Sequence, residues 1–214
     1  MLEEQKELLV QIAKDAENTG LCQPGAGNFS IRDIETGYVL VTPSGVGRKH
    51  LTSKHIIVVD LDANIIEINA NVKPTSETPM HLKVYNERSD VNGVVHTHSK
   101  YATAFAVQNI SIKPIVFEVC SYGGKAPVAP YATPNTDELA QSIVPFLKDY
   151  NAILLEKHGV LIVDSDINNA YLNAHYLEDV AEITFISTVI GGGKLPEPIP
   201  NHEFKKYEEI RAKL

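Results

Sequence analysis

Apolar residues recur along the chain at two alternating spacings, one typical of helices and one typical of strands. Leu8, Leu9, Ile12 and Ala16 share one stripe of a helical wheel, which predicts an amphipathic helix from Leu2 to Thr19. Downstream, short runs of β-branched residues are bounded by Gly, Pro, Asn or Asp, as strands are. We predict strands at Tyr38–Thr42, Ile56–Asp60, Ile65–Ile68, Val91–Thr97, Ile115–Val119, Pro127–Ala129, Ala152–Leu155 and Val160–Val163. We predict further helices at Pro79–Glu87, Tyr101–Gln108, Thr136–Lys148, Asn168–Ile190 and His202–Lys213.

Two pairs of predicted strands follow each other closely enough to form hairpins. Leu61-Asp62-Ala63-Asn64 separates Ile56–Asp60 from Ile65–Ile68, and a polar break around His158 separates the last two strands. Hairpin strands are antiparallel, and the amphipathic helices between them need an apolar surface to cover. The sequence therefore predicts an α/β fold. We expect a single three-layer domain over residues 1–214, with a central, mostly antiparallel sheet covered by helices on both faces.

One stretch near the C-terminus has the composition of a linker. Residues Gly191 to Pro200 include three glycines and three prolines, and they precede the charged helix predicted at His202–Lys213. The simpler interpretation is a frayed terminus. The alternative that we carry forward is a mobile C-terminal tail at about 191–214, which brings a side chain over a site.

The composition narrows the classes of partner. The 214 residues carry a net charge of −8, which argues against binding to nucleic acids or anionic membranes, although local donors can still hold a phosphate. No apolar run approaches the roughly 18 residues of a membrane span, and the charged start lacks the apolar core of a signal peptide. Cys22 and Cys120 form no CxxC pair, so we expect buried thiols in a reducing, cytoplasmic setting.

The segment Val94-Val95-His96-Thr97-His98 carries the strongest chemical indication. Side chains two residues apart on a strand point to the same face, so His96 and His98 can aim both imidazoles at one point. A third histidine, His158, lies in the polar break between two predicted strands. Three such ligands would form a zinc site with one open position, which indicates catalysis. Taken singly, an HxH pair or a lone histidine is as easily a chance or structural feature.

An acidic residue and several small polar loops extend this picture. Glu77 lies at the start of a predicted helix, where it is either a catalytic carboxylate or a simple partner of the helix dipole. The hydroxyls of Thr75 and Ser76 and the free helix amides are suited to an anion. The loops Pro24–Ser30 and Val41–Gly47 are rich in Gly and Ser, so they could also approach a phosphate, although each could be an ordinary turn. Neither matches a Walker or Rossmann pattern.

In this order along nearly the whole chain, these motifs resemble the class II aldolase and ribulose-phosphate epimerase family. The resemblance implies that His96, His98 and His158 bind one zinc ion per chain. It implies that Glu77 is the catalytic acid/base and a fourth ligand in the resting enzyme, and that the enzyme is a homo-oligomer, a cyclic tetramer with its site at a subunit boundary. The resemblance is carried by Gly27-Asn28, Thr42-Pro43-Ser44-Gly45, Ser76-Glu77, His96-x-His98, Gly123-Gly124 to Thr133, and His158-Gly159. Its phosphate-binding residues would be Asn28, Thr42, Ser44, Thr75 and Ser76, with the amides of Gly27 and Gly45.

The activity that the resemblance implies is reversible cleavage of L-fuculose 1-phosphate, or a similar ketose 1-phosphate, to dihydroxyacetone phosphate and L-lactaldehyde. The alternative is an epimerase or dehydratase acting on a related sugar phosphate such as ribulose 5-phosphate at the same zinc. Epimerases of the family usually have Asp where this chain has Glu77, which favours the aldolase. A non-catalytic domain like the adducin head would lack the three histidines.

One position departs from the family pattern. The aldolases place a tyrosine, donated across a subunit interface, where this chain has Phe117, which has no ionisable group. A water molecule or another tyrosine, such as the nearby Tyr122 or Tyr131, could substitute for it. The second functional tyrosine of the family, in the C-terminal tail, is matched by Tyr207.

Overall fold

The computed structural model describes residues 2–211. In this part of the chain the strands are β1 Asn28–Arg32, β2 Val39–Val41, β3 Pro43–Ser44, β4 Ile57–Val59, β5 Ile65–Glu67, β6 Lys73–Pro74, β7 Gly93–Thr97, β8 Val128–Ala129, β9 Ala152–Leu155 and β10 Gly159–Asp164. The helices are α1 Glu3–Asn18, α2 Thr78–Glu87, α3 Lys100–Val107, α4 Asp137–Ser142, α5 Val144–Leu147, α6 Ile167–Ile190 and α7 Asn201–Arg211. Short 3-10 helices lie at Arg48–His50, Ser53–His55 and Phe117–Tyr122.

A single large sheet organises the described residues. Its eight strands run in the order β5-β4-β2-β1-β7-β10-β9-β8, and every neighbouring pair is antiparallel except β8 and β9. The strands β3 and β6 form a separate two-stranded ladder beside the sheet. The fold is therefore mixed α/β with a central, mostly antiparallel sheet, as the sequence predicts.

Helices cover both faces of this sheet. Consecutive strand residues point to opposite faces, and most of those on each face are apolar and buried. In β10, Val160 and Ile162 belong to one buried cluster, and Leu161 and Val163 belong to another. The first cluster includes apolar residues of α1, α3 and α6, and the second includes those of α2, α4 and α5. A strand that is buried on both faces has no polar alternation, which is why β9 and β10 appear in the sequence as continuous apolar runs. The three predicted layers are confirmed.

Several predicted elements need correction. The strand expected at Ile115–Val119 is wrong, because this segment turns into the 3-10 helix Phe117–Tyr122. The helix expected at Thr136–Lys148 is divided at Ile143, which ends α4 and caps α5. The strand β1 was missed altogether, since its start was interpreted as a small polar loop.

The C-terminal segment lies against the body of the protein. Ile199 donates its amide proton to the carbonyl oxygen of Pro114 at 2.7 Å, and the ring of Phe204 lies against Gly124. The predicted helix His202–Lys213 corresponds to α7, and residues 212–214 lie outside the described residues. The mobility of this tail stays a prediction. Among the helices of residues 2–211, none is both long and apolar enough to cross a lipid bilayer.

Candidate active site

Two strands bring the three predicted histidines to one point. His96 is in β7 and His98 follows it, and their Nε2 atoms lie 2.9 Å apart. His158 is in the turn between β9 and β10, and the pairing of β10 with β7 places it beside the other two. The ring centroids are 4.8 to 5.1 Å apart, and the potential ligand atoms all lie within 4.8 Å of one another. The rigid sheet therefore holds three imidazoles around a common centre.

A glycine makes this close approach possible. Gly159 follows His158, and a Cβ atom at this position would lie 2.4 Å from the carbonyl oxygen of Thr97 and 2.8 Å from Cδ2 of His98. It would also lie 3.2 Å from Cε1 of His96. Any side chain at position 159 would push the histidines apart, so the glycine of the His158-Gly159 pair has a steric role.

The carboxylate of Glu77 completes the cluster. Glu77 is the residue that precedes α2, and its side chain is only 6% exposed. Its Oε2 lies 3.1 Å from Nε2 of His96, and its Oε1 lies 3.2 Å from Nε2 of His158. Burial alone would raise the pKa of Glu77, but the hydrogen bonds with His158 and with the amide of Asn28 lower it. The carboxyl group is therefore held as an anion.

The protonation of His96 shows what this cluster can hold. Its Nδ1 lies 2.8 Å from the carbonyl oxygen of Val160, so Nδ1 carries the proton and donates it. Burial lowers the pKa of His96 to about 3, so the imidazole is neutral and Nε2 has a free lone pair. That lone pair faces the carboxylate of Glu77 and Nε2 of His98. Electron-rich atoms at such distances fit a shared cation, and this donor set is one that divalent transition metals accept.

A cleft of about 440 Å³ opens beside this cluster. Glu77, His98 and His158 lie at its inner end. The predicted phosphate loops form much of the remaining wall. The lining segments are residues 25–28, 43–48 and 75–77, together with Pro134 and Asn135.

Most of the predicted phosphate-binding residues line this cleft. Gly27, Asn28, Ser44, Gly45, Thr75 and Ser76 all do so. Thr42 does not line it: it is fully buried, and its hydroxyl accepts a hydrogen bond from the amide of Phe29 at 3.1 Å. Its interaction therefore links β1 to the end of β2.

The hydroxyls of the cleft are held in place by neighbouring loops. Ser44 donates its hydroxyl proton to the carbonyl oxygen of Pro74 at 3.1 Å and accepts the amide proton of Ser76 at 3.2 Å. Ser76 in turn lies 2.5 Å from the side-chain oxygen of Asn135. The two serines and their loops are therefore pre-arranged, although they come from distant parts of the sequence.

The candidate tyrosines do not line the cleft of their own chain. Tyr207 packs on Phe117 with ring centroids 4.5 Å apart, and both line a separate small groove with Tyr176. Tyr122 is fully buried, which removes it as a proton donor to a ligand. Tyr131 is 55% exposed, with the amine of Lys157 6.0 Å from its ring centroid. Only the family resemblance made these tyrosines candidates. None of them lines the cleft of the same chain.

Comparison with known proteins shows the family of this chain. Residues 7–185 match the family model described as the class II aldolase and adducin N-terminal domain. The chain belongs to the class II aldolase family. It is an enzyme of the lyase type, and three of its histidines could hold the metal ion on which such aldolases typically depend.

Relatives of this class II aldolase have several activities. It is 32% identical over 209 residues to 5-deoxy-D-ribulose 1-phosphate aldolase of Bacillus thuringiensis serovar kurstaki, covering 97% of both chains. It is 33% identical over 193 residues to L-fuculose phosphate aldolase of Escherichia coli, covering 90% of this chain and 85% of the relative. It is 32% identical over 186 residues to 3-oxo-tetronate 4-phosphate decarboxylase of Haemophilus influenzae, covering 85% and 87%. A solved L-fuculose 1-phosphate aldolase superimposes with a TM-score of 0.91 at 29% identity, covering 98% of this chain and 96% of that one.

The structure adds residues that the sequence reasoning missed. Arg48 is the one Lys or Arg among the described residues that line the cleft, and it donates from Nη2 to the carbonyl oxygen of Gly27 at 2.6 Å. Its Nε atom is buried without a partner. Asn135 reaches the cleft with φ of 66°, a left-handed conformation that asparagine tolerates. His81, which the sequence alone does not single out, is fully buried beside Asn28. A basic residue directly after the Gly45–Gly47 loop was the available indication for Arg48.

Proposed function

We propose that this class II aldolase cleaves a ketose 1-phosphate, such as L-fuculose 1-phosphate, reversibly to dihydroxyacetone phosphate and an aldehyde, with zinc as its metal. The observation that carries the proposal is the Glu77 carboxylate between His96 and His158, at the inner end of a cleft whose outer wall consists of phosphate-type loops. One small substrate can then contact an acid/base, a metal site and an anion site at the same time.

Zinc is the metal that suits the donor set best. Three imidazoles leave room for one further ligand, and the Glu77 carboxylate can fill that position in the resting enzyme. When bound, zinc supplies Lewis-acid polarisation of the substrate carbonyl. The buried histidines remain neutral at neutral pH, as zinc ligands must be, because burial lowers the pKa of both His96 and His98.

The remaining chemistry belongs to the side chains of the cleft. Ser44, Ser76 and the amides of Gly27 and Gly45 hold the phosphate, and Arg48 adds the positive charge that these neutral donors lack. Cleavage breaks the C3–C4 bond: the C4 hydroxyl loses its proton as the aldehyde forms, and C3 of the dihydroxyacetone phosphate half gains one. Glu77 is the group that holds and transfers the proton at C3.

A second candidate reaction is decarboxylation of a 3-oxo sugar-acid phosphate. The relative of that activity is as similar in sequence as the two aldolases are. Loss of carbon dioxide from a β-keto acid and cleavage of an aldol both leave a carbanion beside a carbonyl group, so one site can serve either. The two differ in the group that leaves, an aldehyde in one case and carbon dioxide in the other.

We further propose a cytoplasmic homotetramer with a site at each subunit boundary. Phe117 and Tyr207 lie together in a groove of their own, outside the cleft of the same chain, and both are partly exposed. A cyclic arrangement would let this pair reach the cleft of a neighbouring subunit, because a heterologous contact repeats around the axis. Light scattering at micromolar concentration tests this, and a fully active monomer would contradict it.

A panel of phosphorylated substrates tests the reaction. The zinc-loaded enzyme is incubated with L-fuculose 1-phosphate, other ketose 1-phosphates, ribulose 5-phosphate and a 3-oxo-tetronate 4-phosphate. Release of dihydroxyacetone phosphate from a ketose 1-phosphate supports the proposal. Release of carbon dioxide, or a change of configuration without cleavage, as the main activity would contradict it.

A further inference from the structure

Five buried side chains form one continuous hydrogen-bonded network that ends at the Glu77 carboxylate. The Tyr85 hydroxyl lies 2.8 Å from Ser30 Oγ, and Ser30 Oγ lies 2.6 Å from Nδ1 of His81. On the other side of the imidazole, Nε2 of His81 lies 2.5 Å from the side-chain oxygen of Asn28. Asn28 then donates from Nδ2 to Oε2 of Glu77 at 2.8 Å. None of the five residues is more than 7% exposed, so water competes little for these bonds.

The network exists because two periodicities match. His81 and Tyr85 are four residues apart on one face of α2, and Glu77, four residues before His81 at the N-cap, continues the same row. Asn28 and Ser30 are two residues apart and share one face of β1. Four helical residues rise about 6 Å and two strand residues rise about 6.6 Å, so the two rows stay in step where α2 covers β1.

The donors of the network all point in one direction. Nδ1 of the neutral His81 ring is an acceptor, so Ser30 directs its single proton at it. Ser30 must then accept from the hydroxyl of Tyr85, which keeps its proton because burial raises its pKa. Burial lowers the pKa of His81 to about 4, so the ring is neutral, and its single proton is on Nε2, directed at the oxygen of Asn28. The opposite arrangement would turn the Asn28 oxygen toward the anionic carboxylate of Glu77, and the two would repel each other.

We propose that His81, Ser30 and Tyr85 are positioning residues for Glu77. They fix which way the amide of Asn28 faces, and that amide holds the carboxylate in the orientation in which it transfers a proton. The inference rests on the proposed role of Glu77 as the acid/base. It gives Asn28 a task besides the expected contact with phosphate, since its oxygen and one of its amide protons are already engaged within the protein.

The direction of the donors can be measured without any substrate. In zinc-loaded protein labelled with ¹⁵N-histidine, the ring nitrogens of His81 report which of them carries the proton, and the His81→Gln spectrum assigns the signals. We expect a neutral ring protonated on Nε2 between pH 6 and 8. A ring protonated on Nδ1, or a charged ring, would overturn the proposal whatever reaction the enzyme catalyses. If no sugar phosphate is turned over, the proposed function fails and this measurement still decides the network.

Kinetics of matched variants test the positioning role. Gln at position 81 retains an N–H donor for Asn28, whereas Leu does not, so His81→Leu should lower kcat on the order of 10- to 100-fold and His81→Gln should recover most of it. KM and zinc content should change by less than about threefold in both, because neither phosphate nor metal contacts are removed. Equal losses in the two variants, or a loss confined to KM or zinc content, would overturn the proposal.

Smaller substitutions keep the test decisive if His81→Leu fails to fold. Ser30→Ala removes the donor to Nδ1 and the acceptor of the Tyr85 hydroxyl but retains the His81 ring, so we expect an intermediate loss of kcat in a folded, zinc-loaded protein. The matched control for a buried hydroxyl is Tyr122→Phe, because Tyr122 is fully buried, its hydroxyl has no hydrogen-bond partner and it lines no wall of the cleft. Tyr122→Phe should retain full kcat, and Tyr85→Phe should lower it. The same kcat in Tyr85→Phe, Ser30→Ala and Tyr122→Phe would contradict the network.

Discussion

Oε2 of Glu77 lies 3.1 Å from Nε2 of His96, although His96 is neutral and its one proton is directed at the carbonyl oxygen of Val160. Two lone pairs therefore face each other in a buried site. Such an arrangement is costly unless a cation lies between the two groups. The contact is thus the clearest structural indication that the proposed metal site and the proposed acid/base, Glu77, belong to the same centre.

The metal site can be tested on the histidine whose loss disturbs the core least. His98 is not fully buried, unlike His96, so His98→Ala should fold normally. With two imidazoles left, we expect zinc content to fall from about one ion per chain to well below half. Metal analysis after dialysis measures this. The control is His175→Ala on α6, outside the histidine cluster, which should retain full zinc. Full occupancy in His98→Ala would exclude the assignment.

The steric role of Gly159 leads to a second prediction. A methyl group at this position would overlap the carbonyl oxygen of Thr97 and the ring of His98. Gly159→Ala should therefore weaken zinc binding by about 10- to 100-fold, as other disturbances of ligand orientation do. Gly47→Ala is the matched control, because nothing lies within 4 Å of a Cβ atom there. Competition with a chelator gives both affinities, and equal affinities would show that the cluster tolerates the methyl group.

The positive charge of Arg48 leads to a third prediction. Its guanidinium group lies in the cleft wall beside the loop that we expect to bind phosphate. Arg48→Met should raise KM about tenfold or more and weaken inhibition by inorganic phosphate, while kcat changes less. The neighbouring exposed Lys49 supplies the control Lys49→Met. A fall in kcat without any change in phosphate inhibition would show that Arg48 only supports the loop.

The replacement of a family tyrosine by Phe117 leads to a fourth prediction. If that tyrosine acts on the aldehyde half, its loss should spare proton exchange at C3 of dihydroxyacetone phosphate, which involves only the ketone half. Phe117→Tyr should then raise aldol cleavage more than proton exchange. Tyr207 contacts Phe117 and is the candidate to act in its place, so Tyr207→Phe should lower cleavage more than exchange. Equal effects on both rates would mean that this pair only shapes the pocket.

The sequence predicts the clustering of the histidines because strand geometry is local. His96 and His98 share a face by their spacing alone, and the two predicted hairpins, β4–β5 and β9–β10, are short-range features. The same holds for Glu77 at a helix start. These residues are found without knowing which distant segments meet.

Features that depend on tertiary contacts were harder to predict. Asn28 and Ser30 made β1 resemble a polar loop, because the partners of these polar residues, His81 and Tyr85, are 51 to 55 residues further along the chain. The β-branched residues before Phe117 suggested a strand, but the segment packs as a 3-10 helix beneath α6 and α7. Thr42 has a hydroxyl of the kind that can donate to a phosphate, yet this hydroxyl accepts a hydrogen bond from the amide of Phe29.

The most direct test of the account is the turnover of Glu77→Gln, measured as release of dihydroxyacetone phosphate from the best ketose 1-phosphate. Glutamine retains the size of the side chain but cannot transfer the proton, so we predict that kcat falls on the order of 10²- to 10⁴-fold while zinc and substrate remain bound. Glu87→Gln, at the far end of the same helix, should leave kcat unchanged. Turnover of zinc-loaded Glu77→Gln close to that of the unmodified enzyme would contradict the account, because Glu77 would then be only a helix-terminal acid.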